Sequence, residues 1–155
     1  QTALLIKVAD CVPILLVDVK RGVIAAIHAG WRGTAQGITG LTIEHMEDHF
    51  GSNPVDILAG IGPSIGPCCY EVDTPVIQTF EHAFKKNAWK FLRRTDKHHA
   101  HLDLWEANRF QLSQKGVKYQ NIEVARVCTF ENTSKFFSER KEGSTGRFGA
   151  VIMRR

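Results

Sequence analysis

No run of about 18 consecutive apolar residues occurs in this 155-residue chain, so it offers no segment suited to a membrane-spanning helix, and no membrane partner is expected. No signal-peptide pattern opens it, no low-complexity linker divides it and no repeat organises it. Cysteine is scarce. Cys11, Cys68, Cys69 and Cys128 match no zinc-finger spacing, and Cys68 and Cys69 are too close in sequence for an ordinary structural disulfide. This usage points to a reducing compartment, with the cytoplasm as the expected location. Charge of one sign is also missing: 20 Lys and Arg against 16 Asp and Glu leave a net charge of +4. The basic residues are scattered, apart from Arg93, Arg94 and Lys97 and a tail from Arg140 to Arg155. A nucleic-acid binder needs a basic stripe interleaved with aromatics, so no nucleic-acid partner is expected. Walker A and dinucleotide-binding fingerprints are absent as well.

What is present is the material of a core. Apolar residues make up 43% and charged residues 23%, the balance of a globular protein. The length suits one domain, 1–155. The chain starts on Gln1 and enters a strand almost at once, which reads as a domain lacking an N-terminal portion.

Leu4 to Val8, Ile14 to Val17 and Val23 to Ala29 are short apolar runs that read as strands buried on both faces. The last two flank a polar turn and make a β-hairpin. Thr34 to Phe50 reads as one helix stopped by Gly51, and Val55 to Ile61 as a further buried strand. Thr74 with Pro75 opens a helix running to about Lys85, and Asp103 with Glu106 resembles a capping box for a helix ending near Gly116. Ile122 to Cys128 and Phe148 to Met153 complete the strands. The expected fold is an α/β (α+β) sandwich, with helices packed on a mixed sheet.

The hairpin brings Cys11 and His28 together, in a way that depends on register. A turn over Asp18 to Arg21 sets them directly opposite each other. A two-residue turn at Lys20-Arg21 makes them diagonal neighbours on one face, and a three-residue turn puts them on opposite faces. On one face, a thiolate and an imidazole can share a metal ion or a proton. Free cysteine is more often a small buried hydrophobe, and a strand-end histidine more often a structural hydrogen-bonding group. A catalytic zinc site also needs about three protein ligands, so a third must come from elsewhere. His45 and His49 share a helix face without the H-E-x-x-H pattern; His98, His99 and His101 form a local patch, and His101 can point into a site. The glycine- and proline-rich stretch Gly60 to Cys69 suits an anion-binding nest, or simply a rigid turn. Ser138, Arg140, Lys141, Ser144, Gly146 and Arg147 offer guanidinium forks on flexible backbone, as a phosphate site or a solvated loop would.

Taken together, Ala9-Asp10-Cys11-Val12-Pro13, His28-Ala29-Gly30-Trp31-Arg32-Gly33, Gly60 to Val72, His101-Leu102-Asp103-Leu104, and Phe136 to Arg140 with Thr145-Gly146-Arg147 resemble the YfiH-like family. It is also called the multicopper polyphenol oxidoreductase (laccase-domain) family. The resemblance implies a single α/β domain, similar in fold to the catalytic domain of cytotoxic necrotizing factor. It implies a His-Cys-His metal site in which Cys11 and His28 supply two ligands and an upstream histidine the third.

The activity it implies is that of a zinc-dependent purine nucleoside enzyme, phosphorolysing adenosine or inosine and deaminating adenosine. Cys11, His28 and Arg32 would be catalytic, and Gly62, Ser64, Arg140 and Arg147 would bind nucleoside and phosphate. One alternative is a copper-dependent polyphenol oxidase acting on phenols, although seven dispersed histidines are few for several copper centres. Another is a Cys–His hydrolase of amide bonds in cell-wall precursors. A non-catalytic metal-binding module ranks last. The remaining cysteines, Cys68, Cys69 and Cys128, are expected to be structural, and the sequence does not set the oligomeric state.

Overall fold

The computed structural model describes residues 2–154; Gln1 and Arg155, the last residue of the basic tail, lie outside them. Strands β1 (Thr2–Val8), β2 (Val12–Asp18) and β3 (Val23–Ala29) open the chain. β2 and β3 form the expected antiparallel hairpin, with Asp18 opposite Val23 and Val12 opposite Ala29. Its turn is residues 19–22, one step later than a turn over Asp18 to Arg21. Gly22, at φ 66°, donates to the Asp18 carbonyl at 2.8 Å, and Asp18 Oδ1 accepts from the Lys20 and Arg21 N–H groups. The later turn puts Pro13, not Cys11, opposite His28.

Two helices stand where one is expected. α1 (Trp31–Ala35) and α2 (Ile38–Phe50) are separated at Gly37, whose φ of 80° breaks the helical path. β4 (Ile57–Ile61) is shorter than the apolar run suggests, because Pro54–Asp56 forms a 3₁₀ turn capped by Asn53. β5 (Glu71–Asp73), α3 (Thr74–Phe84), β6 (Leu92–Arg94) and β7 (His99–Leu102) follow. Then come α4 (Leu104–Gln114), β8 (Ile122–Val124), α5 (Glu139–Glu142) and β9 (Phe148–Arg154). The Asp103 cap is present, with its Oδ1 accepting from the Glu106 N–H at 2.9 Å. The N-cap position of α3 is Asp73, one residue before the expected Thr74, and its side chain makes no capping bond.

The described residues form three sheets. The central one has the order β3-β2-β4-β8 and is mixed, since β4 and β8 run parallel and its other pairs antiparallel. β1 and β9 make a separate antiparallel ribbon, and β5, β7 and β6 a small sheet. Of the apolar runs, the one in β2 is enclosed on both faces, with no exposed residue, whereas those in β1 and β4 are not. β4 alternates, burying Ile57, Ala59 and Ile61 and exposing Leu58, while β1 exposes Leu5. Such alternation is the pattern of a strand with one face on the core and the other toward solvent.

The core joins the inner faces of β2 and β4 to α2, α3 and α4, with Ile14, Leu16, Ile43, Ile57, Ile77 and Phe80 fully enclosed. Asn108 of α4 is buried there. It accepts from Thr39 at 2.7 Å, donates to Thr34 at 3.1 Å and donates to the Leu104 carbonyl at 2.8 Å.

Candidate active site

Asp10 organises the start of β2. It takes φ 75°, a left-handed backbone that Asp tolerates better than most residues. Its side chain is 9% exposed, and both carboxylate oxygens are used. Oδ1 accepts from the Thr129 hydroxyl at 2.6 Å, and Oδ2 from the Arg140 N–H at 2.7 Å. Its carbonyl accepts from the Ile65 N–H at 3.0 Å. One strained residue thus ties the entry to β2 to three distant segments and fixes where Cys11 begins.

Cys11 is half-buried and lies beside Gly30, where a Cβ would sit 3.1 Å from its sulfur. A larger residue there would crowd the sulfur and push it aside by a few tenths of an ångström. The thiol helps line a cavity of about 140 Å³ with Gly30, Trp31, Arg32, Ile65 and Tyr70. Trp31 and Tyr70 also line an adjoining space of about 250 Å³ that holds Glu71, His99 and Arg140. The first volume alone is below the ~300 Å³ typical of small-molecule sites, and the second extends it into a cleft.

The cleft is aromatic with cationic edges. The Arg32 guanidinium lies 4.3 Å from the Trp31 ring centre, and that of Arg140 lies 5.1 Å from Tyr70. Arg140 also donates to the Glu71 carbonyl at 2.7 Å. Burial raises the Cys11 thiol above its ordinary pKa, with the charges of Asp10 and Glu139 adding to the effect and Arg147 opposing it. Burial likewise lifts the Tyr70 phenol to about 12 against the pull of Arg140, so it stays protonated through the neutral range.

The predicted residues separate into two groups. Cys11, Arg32 and Arg140 line the cleft, and Arg147 acts on Cys11 while paired with Glu139 at 2.8 Å. His28 is exposed. Alternation along β3 buries Ile27 and Ala29 and turns His28 to solvent, and the register makes it a diagonal neighbour of Cys11. One half-buried thiol and one imidazole on the same hairpin suit, in donor type, a d¹⁰ ion such as zinc.

Gly62 and Ser64 lie elsewhere. Gly62 donates to the Pro13 carbonyl at 2.8 Å and lines a separate apolar groove with Pro13, Phe136 and Phe148. Ser64 is fully buried, accepting from Trp105 Nε1 at 2.6 Å. The anion-nest reading of Gly60 to Cys69 is corrected by these bonds. The N–H groups of Gly62, Ser64, Ile65, Gly66, Cys69 and Tyr70 all donate to acceptors within the protein. His101 is oriented by a 2.6 Å contact from Nδ1 to the Pro67 carbonyl and lines a space with Cys68 and Arg93.

Sequence reasoning missed one constellation. The ligand atoms of Cys68, Cys69, Cys128 and Glu131 lie within 4.8 Å of one another. Residues 60 positions apart reveal no such convergence by spacing, and the only sequence signal was the unexplained Cys-Cys pair.

A family model described as multi-copper polyphenol oxidoreductase laccase matches residues 1–155. A Bacteroides thetaiotaomicron protein named purine nucleoside phosphorylase is 45% identical, over 97% of this chain and 56% of its own length. A protein of an unknown prokaryotic organism, named an adenosine deaminase, is 38% identical, over 97% of this chain and 57% of its own. The crystal structure of a Bacillus licheniformis protein, YfiH, superposes with a TM-score of 0.95 at 38% identity, covering 99% of this chain and 58% of that one. The chain thus spans between half and two thirds of the length of these relatives. With its motifs, fold and full-length match in agreement, this chain belongs to the multi-copper polyphenol oxidoreductase laccase family, the YfiH-like family.

Proposed function

We propose that this chain carries much of the active site of a zinc-dependent purine nucleoside enzyme, which cleaves adenosine or inosine with phosphate and also deaminates adenosine. The observation that carries the reading is the cleft between Trp31 and Tyr70, with the Cys11 thiol on its wall and Arg32 and Arg140 at its edges. The names of the relatives, purine nucleoside phosphorylase and adenosine deaminase, support the substrate class.

Two aromatic walls suit the flat face of a purine, and guanidinium forks suit phosphate oxygens. Tyr70, protonated through the neutral range, offers a hydroxyl donor to a base or sugar oxygen. In phosphorolysis a phosphate oxygen bonds to the sugar C1′ as the C1′–N9 bond breaks and N9 takes a proton. Arg32 and Arg140 would hold the phosphate in line and offset its charge as that bond forms. Cys11 and His28 would hold the zinc, with a third ligand from outside the chain's described residues, and the ion supplies Lewis acidity and an activated water.

A Cys–His hydrolase with a fold like that of cytotoxic necrotizing factor has less support, because burial and the Asp10 charge push the Cys11 thiol pKa up, against the thiolate that a nucleophile needs. The four free cysteines fit a cytoplasmic enzyme.

The test is turnover of adenosine in phosphate buffer by the zinc-loaded, full-length protein and its Cys11→Ala variant, followed by chromatography. Adenine and ribose 1-phosphate formed only with Cys11 present support phosphorolysis, and inosine supports deamination. Absence of both products from folded, metal-loaded protein would sink the reading. Oxidation of a phenol that depends on copper and on Cys11 would then favour the oxidase alternative.

A further inference from the structure

We propose that Cys68, Cys69, Cys128 and Glu131 form a closed binding site for a zinc-like cation, separate from Cys11 and His28. The distances fit such an ion before it is added. Cys68 Sγ lies 3.4 Å from Cys69 Sγ and 3.5 Å from Glu131 Oε2, and all four donor atoms fall within 4.8 Å of each other. Tetrahedral zinc, with Zn–S about 2.3 Å and Zn–O about 2.1 Å, requires sulfurs about 3.8 Å apart and sulfur to oxygen about 3.6 Å. Little movement is needed.

The backbone holds this geometry from both sides. The Cys69 and Tyr70 N–H groups both donate to the Gly66 carbonyl, making a tight turn that presents Cys68 and Cys69. Ser64 and Cys128 form a parallel bridge, fixed by Ser64 N–H to the Val127 carbonyl and Thr129 N–H to the Ser64 carbonyl. Asn132 then folds residues 128–132 back, donating from its side chain to the Cys128 carbonyl at 2.8 Å, and this carries Glu131 over the sulfurs. The Gly66 N–H donates to Cys128 Sγ at 3.2 Å, the kind of outer bond that steadies a metal-bound thiolate. A Cβ at Gly66 would stand 3.2 Å from Cys68 Sγ and 2.7 Å from Trp105, so the cluster needs glycine there.

The donor set selects the ion. Three sulfurs and one carboxylate favour zinc or another soft to borderline cation over magnesium or calcium, which take oxygen ligands. Four protein donors leave no open position, which is the pattern of a structural site. Cys128 is buried while Cys68 and Glu131 are exposed, giving an anchor below and an entry path above. A bound ion would clamp the turn that ends at Tyr70, a wall of the cleft. The proposal does not depend on what that cleft does.

The experiment is anaerobic titration of the reduced, chelator-stripped, full-length protein with cobalt(II), read by the ultraviolet thiolate-to-cobalt band, with zinc content measured in parallel. In a Cys11→Ala background, one equivalent should bind with a strong charge-transfer band. Cys69→Ser should lower that band by about a third, as one of three thiolates is lost. Cys68→Ser and Glu131→Gln, both at exposed positions, should weaken binding roughly tenfold or more without unfolding the protein. No uptake by Cys11→Ala protein with free thiols would overturn the proposal. So would uptake indifferent to Cys68 and Cys69.

Discussion

A single carboxylate shows how tightly the site is specified at the scale of the residue. Asp10 holds Thr129 and Arg140 through separate oxygens, and its charge also raises the pKa of the neighbouring Cys11. Asp10→Asn keeps the shape and the tolerance for φ 75° but can accept with only one of its two terminal atoms. The variant should lose about 1–3 kcal/mol of stability to denaturant, from one broken charge-assisted bond. It should also move the Cys11 thiol downward, since a negative charge beside it has gone. In metal-free protein the rate of Cys11 alkylation would then rise at lower pH than in the parent. An alkylation profile identical in the two proteins would show that Asp10 does not act on the thiol.

Among elements, the junction of α1, α2 and α4 rests on Asn108 and two threonines, all fully buried. Asn108→Ala leaves the hydroxyls of Thr34 and Thr39 enclosed without that partner. A loss of about 2–4 kcal/mol is expected in chemical denaturation, and a loss under 0.5 kcal/mol would mean that the hydroxyls find other partners.

The hairpin, α3 and the Asp103 cap of α4 were legible because their signals are local: apolar runs, a Pro in the first turn of a helix, an Asp three residues before a Glu. The small sheet was not. Glu71–Asp73, Leu92–Arg94 and His99–Leu102 are short and polar, and only pairing with one another makes them strands. Cys11 and Arg32 could be picked out as site residues because their motifs surround a turn. The register that sets His28 diagonal to Cys11 could not, because the polar residues between β2 and β3 allow several turns. Nor could the cysteine cluster, which assembles only when residues 64 and 128 come side by side.

Viewed as a whole molecule, the site is fastened by contacts between segments far apart along the chain. Thr129 and Arg140 meet Asp10 across 119 and 130 residues, whereas the hairpin and α2 are built from near neighbours. Closing long loops costs entropy that must be spent before the contact returns anything, so local structure forms first and distant pairing later. On dilution from denaturant, secondary structure followed by circular dichroism should recover before Cys11 becomes protected from a thiol reagent. Equal rate constants for the two signals would count against this order. The Asp10 fastening therefore acts as a clock as well as a brace. If the order holds, each folding event passes through an interval with a core but no finished site, in which the thiol that the site depends on is open to reagents.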